Sequence, residues 1–366
     1  MIVFLIVVLV LLVLLLLYAD NNLHGDERTM KKVWNAGYHE KQAVLPNGTK
    51  LNYGEGGKSD LPPLLLIHGQ GQAWQDYDRV LPALAQKFHV YTVDCHGHGK
   101  SSHDASRYTC RQMTDDFIWL IQNVIGRPCV VSGHSSGGIL AADVAASSPQ
   151  DVSALVIEDA PFFCVQPEEM QQKHAFAWLD SFQLIHDFWG RQDADNYYLY
   201  YFQNSCLWSL FGNLKNIVAA SARKYILTHP GAPLKIWYLP QALLRGLYYM
   251  ESFDVRFAMT FYNGSWFDGT SQEEILQNVK CPCTYLKAKT GYLLDGKPKT
   301  DFAGRDLSHA VLCCANTEAD AEKVTALIKN CRRVTTETSD HLIHFKYPDV
   351  FVSEIERYSQ GQGDKK

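Results

Sequence analysis

The sequence lacks several features that would place it in other classes of protein. It has no cluster of basic residues interleaved with aromatics, and its formal net charge is -5, so nucleic-acid binding is not expected. Charged residues make up 20% of the chain and apolar residues 46%, which argues against a disordered chain and against a membrane protein of many spans. No internal repeat is visible. The 366 residues suffice for one large globular domain or two smaller ones.

A disulfide framework and a metal-binding pattern are also missing. The ten cysteines are irregularly spaced, and several lie in apolar, strand-like runs where a buried free thiol is the ordinary interpretation. The cluster of Cys95, His96 and His98 does not have the spacing of a zinc site. We therefore expect no metal and no cofactor, and the cysteine usage weakly favours a reducing compartment.

Charge is absent from the first eighteen residues, Met1 to Tyr18. About twenty apolar residues span a bilayer, whereas the apolar core of a signal peptide has about seven to fifteen. No basic residue precedes the run and no small-x-small cleavage pair follows it, so we expect an uncleaved single-pass membrane anchor at residues 1–19, with a removed signal peptide as the alternative. Arg28, Lys31 and Lys32 favour a cytoplasmic main domain, but the sequence leaves the side of the membrane open.

Beyond a polar linker, residues 20–37, short apolar runs alternate with helical patterns. An Asn47-Gly48 turn between two alternating segments predicts a β-hairpin. Apolar strands separated by helices indicate a parallel sheet that is covered on both faces. The strand candidates lie at 63–67, 88–93, 128–131 and 154–157, and the helices between them lie near 74–87, 112–125 and 136–148.

The alternation stops between residues 162 and 275, where the periodicity is helical and fragmented and aromatic residues are frequent. We expect a helical subdomain with a core of its own, which could also serve as a cap over an apolar pocket. Strand-like runs then resume at 281–286, 310–314 and 333–337, with a helix near 317–329, and a short tail, 358–366, ends the chain.

The most informative stretch is Gly133-His134-Ser135-Ser136-Gly137, which fits the pattern Gly-x-Ser-x-Gly. It lies between a short apolar run and an Ala-rich helical pattern. A serine on a tight turn from strand to helix is held out at the edge of a sheet, and small flanking residues allow the close approach that this turn requires. The following helix would point its free N–H groups at the place where negative charge develops.

Four motifs in this order make the chain similar to the α/β-hydrolase family over about residues 38–357. They are His68-Gly69-Gln70-Gly71, then Asp94-Cys-His-Gly-His-Gly-Lys-Ser101 with His96 in place of the usual Arg, then the serine motif, and last Asp340-His341-Leu-Ile-His344. The resemblance implies an α/β fold with a mostly parallel, doubly wound sheet and a helical cap, here preceded by one transmembrane helix. The core would comprise residues 38–161 and 276–357, and the cap residues 162–275.

The resemblance also implies a catalytic triad with Ser135 as the nucleophile. A serine hydroxyl needs a base within hydrogen-bond reach, and that base needs an acid that fixes its tautomer. We expect His341 to be the base and His344 to be the second, structural histidine of the family pattern. We favour Asp159, directly after an apolar strand, as the acid. In the commonest family pattern the acid follows the next strand, here the strand at 281–286. No Asp occurs directly after that strand, and the alternative acid is Asp295, a few residues further along the chain.

The expected oxyanion hole consists of the backbone N–H groups of Gln70 and Ser136. Together these residues predict a hydrolase that cleaves a small-molecule ester or acyl substrate with a sizeable apolar part, through an acyl-enzyme on Ser135. Two alternatives stay open at this point. The same triad could hydrolyse an amide, lactone, thioester or carbon–carbon bond, or the chain could be a non-catalytic, ligand-binding homologue. The expected partners are that substrate and a membrane.

Overall fold

The apolar runs of the sequence form a central β-sheet. The computed structural model describes residues 1–190, 196–205, 208, 212–292, 311–312 and 314–359. Within these residues the strands are β1 (His39–Val44), β2 (Lys50–Gly56), β3 (Pro63–Ile67), β4 (His89–Val93), β5 (Cys129–His134), β6 (Val152–Glu158), β7 (Cys283–Lys287), β8 (Gly291–Tyr292), β9 (Val311–Leu312) and β10 (Cys331–Thr335).

Eight of these strands form one sheet in the order β1-β2-β4-β3-β5-β6-β7-β10. The hairpin β1-β2 is antiparallel, and β2 also pairs antiparallel with β4. All other neighbours are parallel. The strands β3, β4, β5 and β7 are buried along their whole length, as parallel strands covered by helices must be. The predicted α/β class and mostly parallel sheet are confirmed.

Helices surround the sheet and fill the segment between β6 and β7, whose described residues we call the helical insertion. The α-helices are α1 (Ile2–Asn35), α2 (Leu81–Leu84), α3 (Cys110–Leu120), α4 (Ser136–Ser147), α5 (Pro167–Lys173), α6 (Ala175–Ala177), α7 (Leu184–Trp189), α8 (Tyr197–Asn204), α9 (Lys215–Thr228), α10 (Gln241–Leu244), α11 (Arg256–Tyr262), α12 (Gln272–Asn278), α13 (Glu318–Leu327), α14 (Ile343–Lys346) and α15 (Pro348–Glu356). Short 3-10 or π turns include Trp74–Tyr77, Ile121–Ile125, Trp178–Gln183 and Arg245–Leu247.

The sheet separates two hydrophobic cores. On one face the core includes Phe117 of α3 and Ile139 of α4, and it continues without a break into the aromatic residues of the helical insertion. On the other face Leu84 of α2 and Phe351 of α15 pack against the sheet. The insertion therefore shares a core with the sheet, which fixes its position over the strand ends.

The helix α1 extends far beyond the apolar run. Residues of its first half are exposed and apolar, and by length and composition this helix could cross a membrane. A signal sequence would pass the same test. The expected linker at 20–37 is instead helical as far as Asn35, because the second half of α1 packs on the rest of the protein. Val33 is fully buried, and the ring of Trp34 meets that of Trp74 edge-on with centroids 5.5 Å apart.

Two local expectations differ from the structure. The helix expected near 74–87 is divided into a short 3-10 turn, Trp74–Tyr77, and α2, since Pro82 has no N–H for a helix that begins earlier and instead sits in the first turn of α2. The expected strand at 310–314 does not join the main sheet. Its paired residues, Val311 and Leu312, form a separate antiparallel ladder with Gly291 and Tyr292.

A close approach between β3 and the start of α4 requires glycine at position 137. A methyl group on Gly137 would lie 2.4 Å from the backbone oxygens of both Ile67 and His68. Backbone atoms of a central strand cannot move away as the end of a side chain can. The turn at Ser135 is therefore tight because the helix that follows it lies directly against the neighbouring strand.

We predict that Gly137→Ala lowers the free energy of unfolding by about 1–3 kcal/mol, the usual cost of overpacking. Urea denaturation of the detergent-solubilised chain would measure it. The control is Gly190→Ala, whose methyl group would find its nearest neighbour at 3.7 Å and should change stability by less than about 0.5 kcal/mol. Equal losses in the two variants would contradict the close approach as the cause.

Candidate active site

Ser135 occupies a strained turn between β5 and α4. Its backbone has φ 54° and ψ -123°, a region that non-glycine residues rarely adopt and that persists only where the surroundings hold it. The Ser135 N–H donates to the Glu158 carbonyl at 2.9 Å, which ties the turn to the end of β6. The strain is thus held by the sheet itself, and Ser135 lines the cavity beneath the helical insertion.

Asp159 and His341 meet at this edge of the sheet, although 182 residues separate them. His341 Nδ1 lies 2.7 Å from Asp159 Oδ2. The fully buried carboxylate also accepts the N–H of Ala288 at 3.0 Å and that of Ala315 at 2.9 Å. Because the carboxylate only accepts, Nδ1 carries the proton and Nε2 is left as the acceptor. Ala288 directly follows β7, so the strand end that lacks an Asp supplies a donor to Asp159 instead.

A second carboxylate–histidine pair lies beside the first. Glu158, one residue before Asp159, accepts the His344 backbone N–H at 2.7 Å and lies 2.8 Å from His344 Nδ1. Asp159 follows the last residue of β6 and has φ 39°, so the chain turns there and the two adjacent carboxylates hold two histidines that are three residues apart. The loop that carries His341 is therefore fixed at two places.

His344 belongs to a buried network of charges that reaches into the helical insertion. Its Nε2 lies 3.1 Å from Asp76 Oδ2, and Asp76 Oδ1 accepts from Arg245 Nε at 2.9 Å. Arg245 also donates to Asp78, with Nη2 3.0 Å from Oδ1. Arg245 and Asp76 are at most 2% exposed. This network joins the insertion, the 3-10 turn Trp74–Tyr77, the end of β6 and the short helix α14.

The network keeps His344 positively charged. Burial by itself would lower the pKa of His344, but the neighbouring charges of Glu158 and Asp76 outweigh it and raise the pKa to about 10. Burial would likewise raise the pKa of Asp76, yet His344 and Arg245 hold it well below its ordinary range. A charged imidazole locked between two carboxylates cannot serve as a base near pH 7, so His344 is excluded from that role.

His134, which precedes the serine, supports the same loop from the other side. Its Nε2 lies 2.9 Å from the His341 carbonyl oxygen, which can only accept. Burial and the neighbouring His341 and His344 lower the pKa of His134 well below its ordinary value. His134 is therefore a neutral donor that positions the His341 backbone.

The loop after β3 passes directly in front of Ser135. A methyl group on Gly69 would lie 2.9 Å from Ser135 Cβ, and both Gln70 and Ser136 line the cavity. Among the described residues, neither the Gln70 N–H nor the Ser136 N–H donates to another group. Two free amides beside a serine are the arrangement that an oxyanion hole requires.

The cavity has a volume of about 260 Å³ and combines polar groups at its floor with apolar walls. Ser135, His341, Gln70 and Ser136 lie at its floor, and apolar side chains of the insertion form its walls: Val165, Met170, Ala177, Phe182 and Phe261. A second cavity of about 240 Å³ shares Gln70 and Ser181 with it and is lined by Ile185, Tyr197, Leu243, Leu247, Met250 and Phe253. The two together offer an extended apolar space beside the serine.

The structure thus brings Ser135, His341, Gln70 and Ser136 to one cavity and places Asp159 behind His341. Asp295 lies outside the described residues. The histidines of the motif after β4 do not converge: His96 pairs with Asp116 at 2.8 Å, and His98 accepts the Gly71 N–H at 3.0 Å. Asp76, His134 and His344 are close enough to hold a metal ion, but each already has a protein partner. Asp76 accepts from Arg245, His134 contacts the His341 carbonyl, and His344 lies between Glu158 and Asp76.

Three residues of the site were missed by reasoning from the sequence. Arg245 and Asp76 have no local pattern, since 169 residues separate them. His174 lines the cavity, burial lowers its pKa to about 4, and its Nε2 has no partner among the described residues. A histidine within a helical stretch carries no signal of such a position.

Comparisons with known proteins agree with this geometry. The model of the Alpha/beta hydrolase family matches residues 64–354. The chain is 35% identical to the Magnesium-chelatase 30 kDa subunit of Rhodobacter capsulatus over 94 residues, which are 25% of this chain and 33% of that protein. It is 31% identical to the human Serine hydrolase-like protein over 114 residues, 30% of this chain and 55% of that protein. The matches thus span a third to about half of these relatives.

Among solved structures, the chain resembles one described as a membrane phospholipase A, a novel bacterial virulence factor. The TM-score is 0.60 at 20% identity, over 98% of this chain and 97% of that chain. At this identity the likeness shows the fold alone.

The charged network predicts how stability depends on pH. Because folding raises the pKa of His344 from 6.5 to about 10, its contribution is complete below pH 6.5 and is lost as the pH rises through 10. We expect His344→Gln to lower the free energy of unfolding by about 3–5 kcal/mol at pH 6, since it leaves buried carboxylates without their cation, and by less at pH 10.

Urea denaturation at pH 6, 8 and 10 measures this difference. The exposed His103 provides the control, since His103→Gln should retain both the stability and the pH dependence of the unmodified chain. A loss in His344→Gln that is the same at all three pH values would show that the imidazole contributes by packing and not by charge.

Proposed function

The chain belongs to the alpha/beta hydrolase family, and we propose that it is a serine hydrolase that cleaves an ester with a sizeable apolar part. The observation that carries the proposal is the bonded pair of Asp159 and His341, with His341 and Ser135 facing the same cavity. This is the order of acid, base and nucleophile that acyl transfer requires.

In this mechanism Ser135 Oγ attacks the ester carbonyl while His341 Nε2 takes its proton. Asp159, which accepts the N–H groups of Ala288 and Ala315, orients His341 and stabilises the imidazolium. The N–H groups of Gln70 and Ser136 bind the oxyanion, and the loss of one such donor typically costs about 2.7–4 kcal/mol. His341 then protonates the departing alcohol, and a water molecule activated by the same histidine releases the acid from Ser135.

The apolar walls support an acyl chain or a cyclic apolar group as the substrate. The helical insertion supplies most of these walls, and we assign it the role of a cap at residues 162–275. The apolar half of α1 supports a membrane anchor. The most direct test of the proposal is covalent labelling of the serine.

A fluorophosphonate probe should label the intact chain on Ser135, because the probe phosphonylates a serine, with loss of fluoride, only where a base and an oxyanion hole activate it. We expect Ser135→Ala to abolish labelling, as measured by in-gel fluorescence and mass spectrometry of the peptide. Ser181→Ala is the matched control, since Ser181 lines the same cavity, and it should be labelled like the unmodified chain. Equal labelling of Ser135→Ala would refute the nucleophile, and no labelling of any form would favour a non-catalytic binding protein.

The acid can be tested separately with a series of p-nitrophenyl esters of increasing chain length. Asp159→Asn should lower kcat on the order of 10⁴-fold, because the amide favours the wrong tautomer of the base. Asp295→Asn should retain activity within about twofold. If the Asp295 variant alone loses activity, the assignment of Asp159 is wrong. If all forms are inert to esters but are labelled by the probe, the scissile bond belongs to another class.

A further inference from the structure

Exposed apolar side chains of the helical insertion cluster beside the end of the apolar run of α1. Leu214 is 59% exposed, Ile217 56% and Trp237 47%, and we call these three the lateral patch. A soluble surface seldom presents large apolar side chains together without a partner. We propose that the lateral patch is seated in the headgroup layer of the same bilayer that α1 crosses. The proposal rests on α1 as a membrane anchor but not on catalysis.

Contacts with α1 fix the level of the patch. Tyr18, near the end of the uncharged run, donates from its hydroxyl to the Tyr238 carbonyl at 3.3 Å. Asn22 Nδ2 donates to the Trp237 carbonyl at 2.9 Å. The Tyr238 hydroxyl in turn donates to Ser221 Oγ at 2.8 Å, on the helix that carries Ile217. The patch therefore lies at the height of Tyr18, where the apolar run ends.

The end of the apolar run places this level at the membrane surface. The run is followed directly by the charged Asp20, and charged side chains are costly inside the hydrocarbon core of a bilayer. Tyr18 therefore lies in the interfacial layer. Trp and Tyr are the residues that favour that layer, and Trp237, Tyr238 and Tyr18 all lie there. The charge of Asp20 is paired with that of Arg28, whose Nη1 lies 2.8 Å from Asp20 Oδ2.

The patch cannot move away from the membrane as a tethered domain could, because α1 is held against the body of the protein. Lys235, only two residues before Trp237, pairs with Glu27 at 2.6 Å and with Asp26 at 3.3 Å. Gln241 Nε2 donates to the Asn21 carbonyl at 3.0 Å. Insertion of α1 therefore also determines where the patch lies.

The helix α9 contains an internal control for the patch. Ile217 lies at its first turn, beside Tyr238, whereas Tyr225 lies within electrostatic reach of Asp26 and Glu27, further from the apolar run. The helix thus leads away from the membrane. Leu227, 60% exposed, lies about 15 Å beyond Ile217 along the helix axis and should remain in water.

Quenching of tryptophan fluorescence by spin-labelled lipid tests the proposal on the full chain. The chain would be reconstituted in vesicles of phosphatidylcholine and phosphatidylglycerol, 3:1, that contain phosphatidylcholine with a nitroxide on carbon 5 of one acyl chain. We expect Trp237→Phe to remove at least half of the lipid-quenched emission. Trp34→Phe is the control, because Trp34 lies about 24 Å from Tyr18 along α1 and should contribute none of it.

A second pair of variants tests the neighbouring side chains. Leu214→Ser with Ile217→Ser should reduce the quenching of Trp237 at least twofold, whereas Leu227→Ser should leave it unchanged. Equal quenching in the unmodified chain and in Trp237→Phe would overturn the proposal. Release of the chain from vesicles by alkaline carbonate would also overturn it, because α1 would not be inserted. Neither measurement requires hydrolysis. Failure of the hydrolase proposal would appear as a loss of probe labelling and would leave the lipid quenching unchanged.

Discussion

The positive charge of His344 is the constraint on which the arrangement of the site depends. A charge without contact with water must be paired, and removing one partner of a buried pair costs about 3–5 kcal/mol. Here the imidazolium is enclosed by Glu158 and Asp76, and Asp76 is shared with Arg245. Since these four residues come from four parts of the chain, the only arrangement that satisfies all of them is the folded one.

The same network explains how a loop can hold the proposed base, His341. His341 lies on a turn, and its side chain is 33% exposed. A surface turn of this kind is ordinarily mobile. Three contacts restrain this turn. Asp159 binds His341 Nδ1, His134 binds the His341 carbonyl, and the charged network holds the ring of His344. Restraint of this kind is what keeps a catalytic group oriented before substrate arrives. The insertion contributes through Arg245, so the cavity wall and the loop are connected.

The sequence allowed the fold and the strand-to-helix turn at Ser135 to be predicted because their signals are local. Fully apolar runs of about five residues are too short for helices, and their alternation with amphipathic stretches is typical of covered parallel strands. The choice between Asp159 and Asp295 remains a prediction, supported by the 2.7 Å contact with His341. Contacts between distant segments could not be predicted, as with Arg245 and Asp76. For the same reason the second half of α1 was expected to be a linker, since its partners at Lys235 and Gln241 are more than 200 residues away.

The adjacency of Glu158 and Asp159 has a consequence for how this chain can change in evolution. The end of β6 positions both carboxylates, and an inserted or deleted residue within the strand would move both of them relative to their histidines. Both carboxylate–histidine pairs would then be broken together. We therefore expect β6 to accept many substitutions of one apolar residue for another but no insertion or deletion, so that length, more than composition, is the conserved property of this strand.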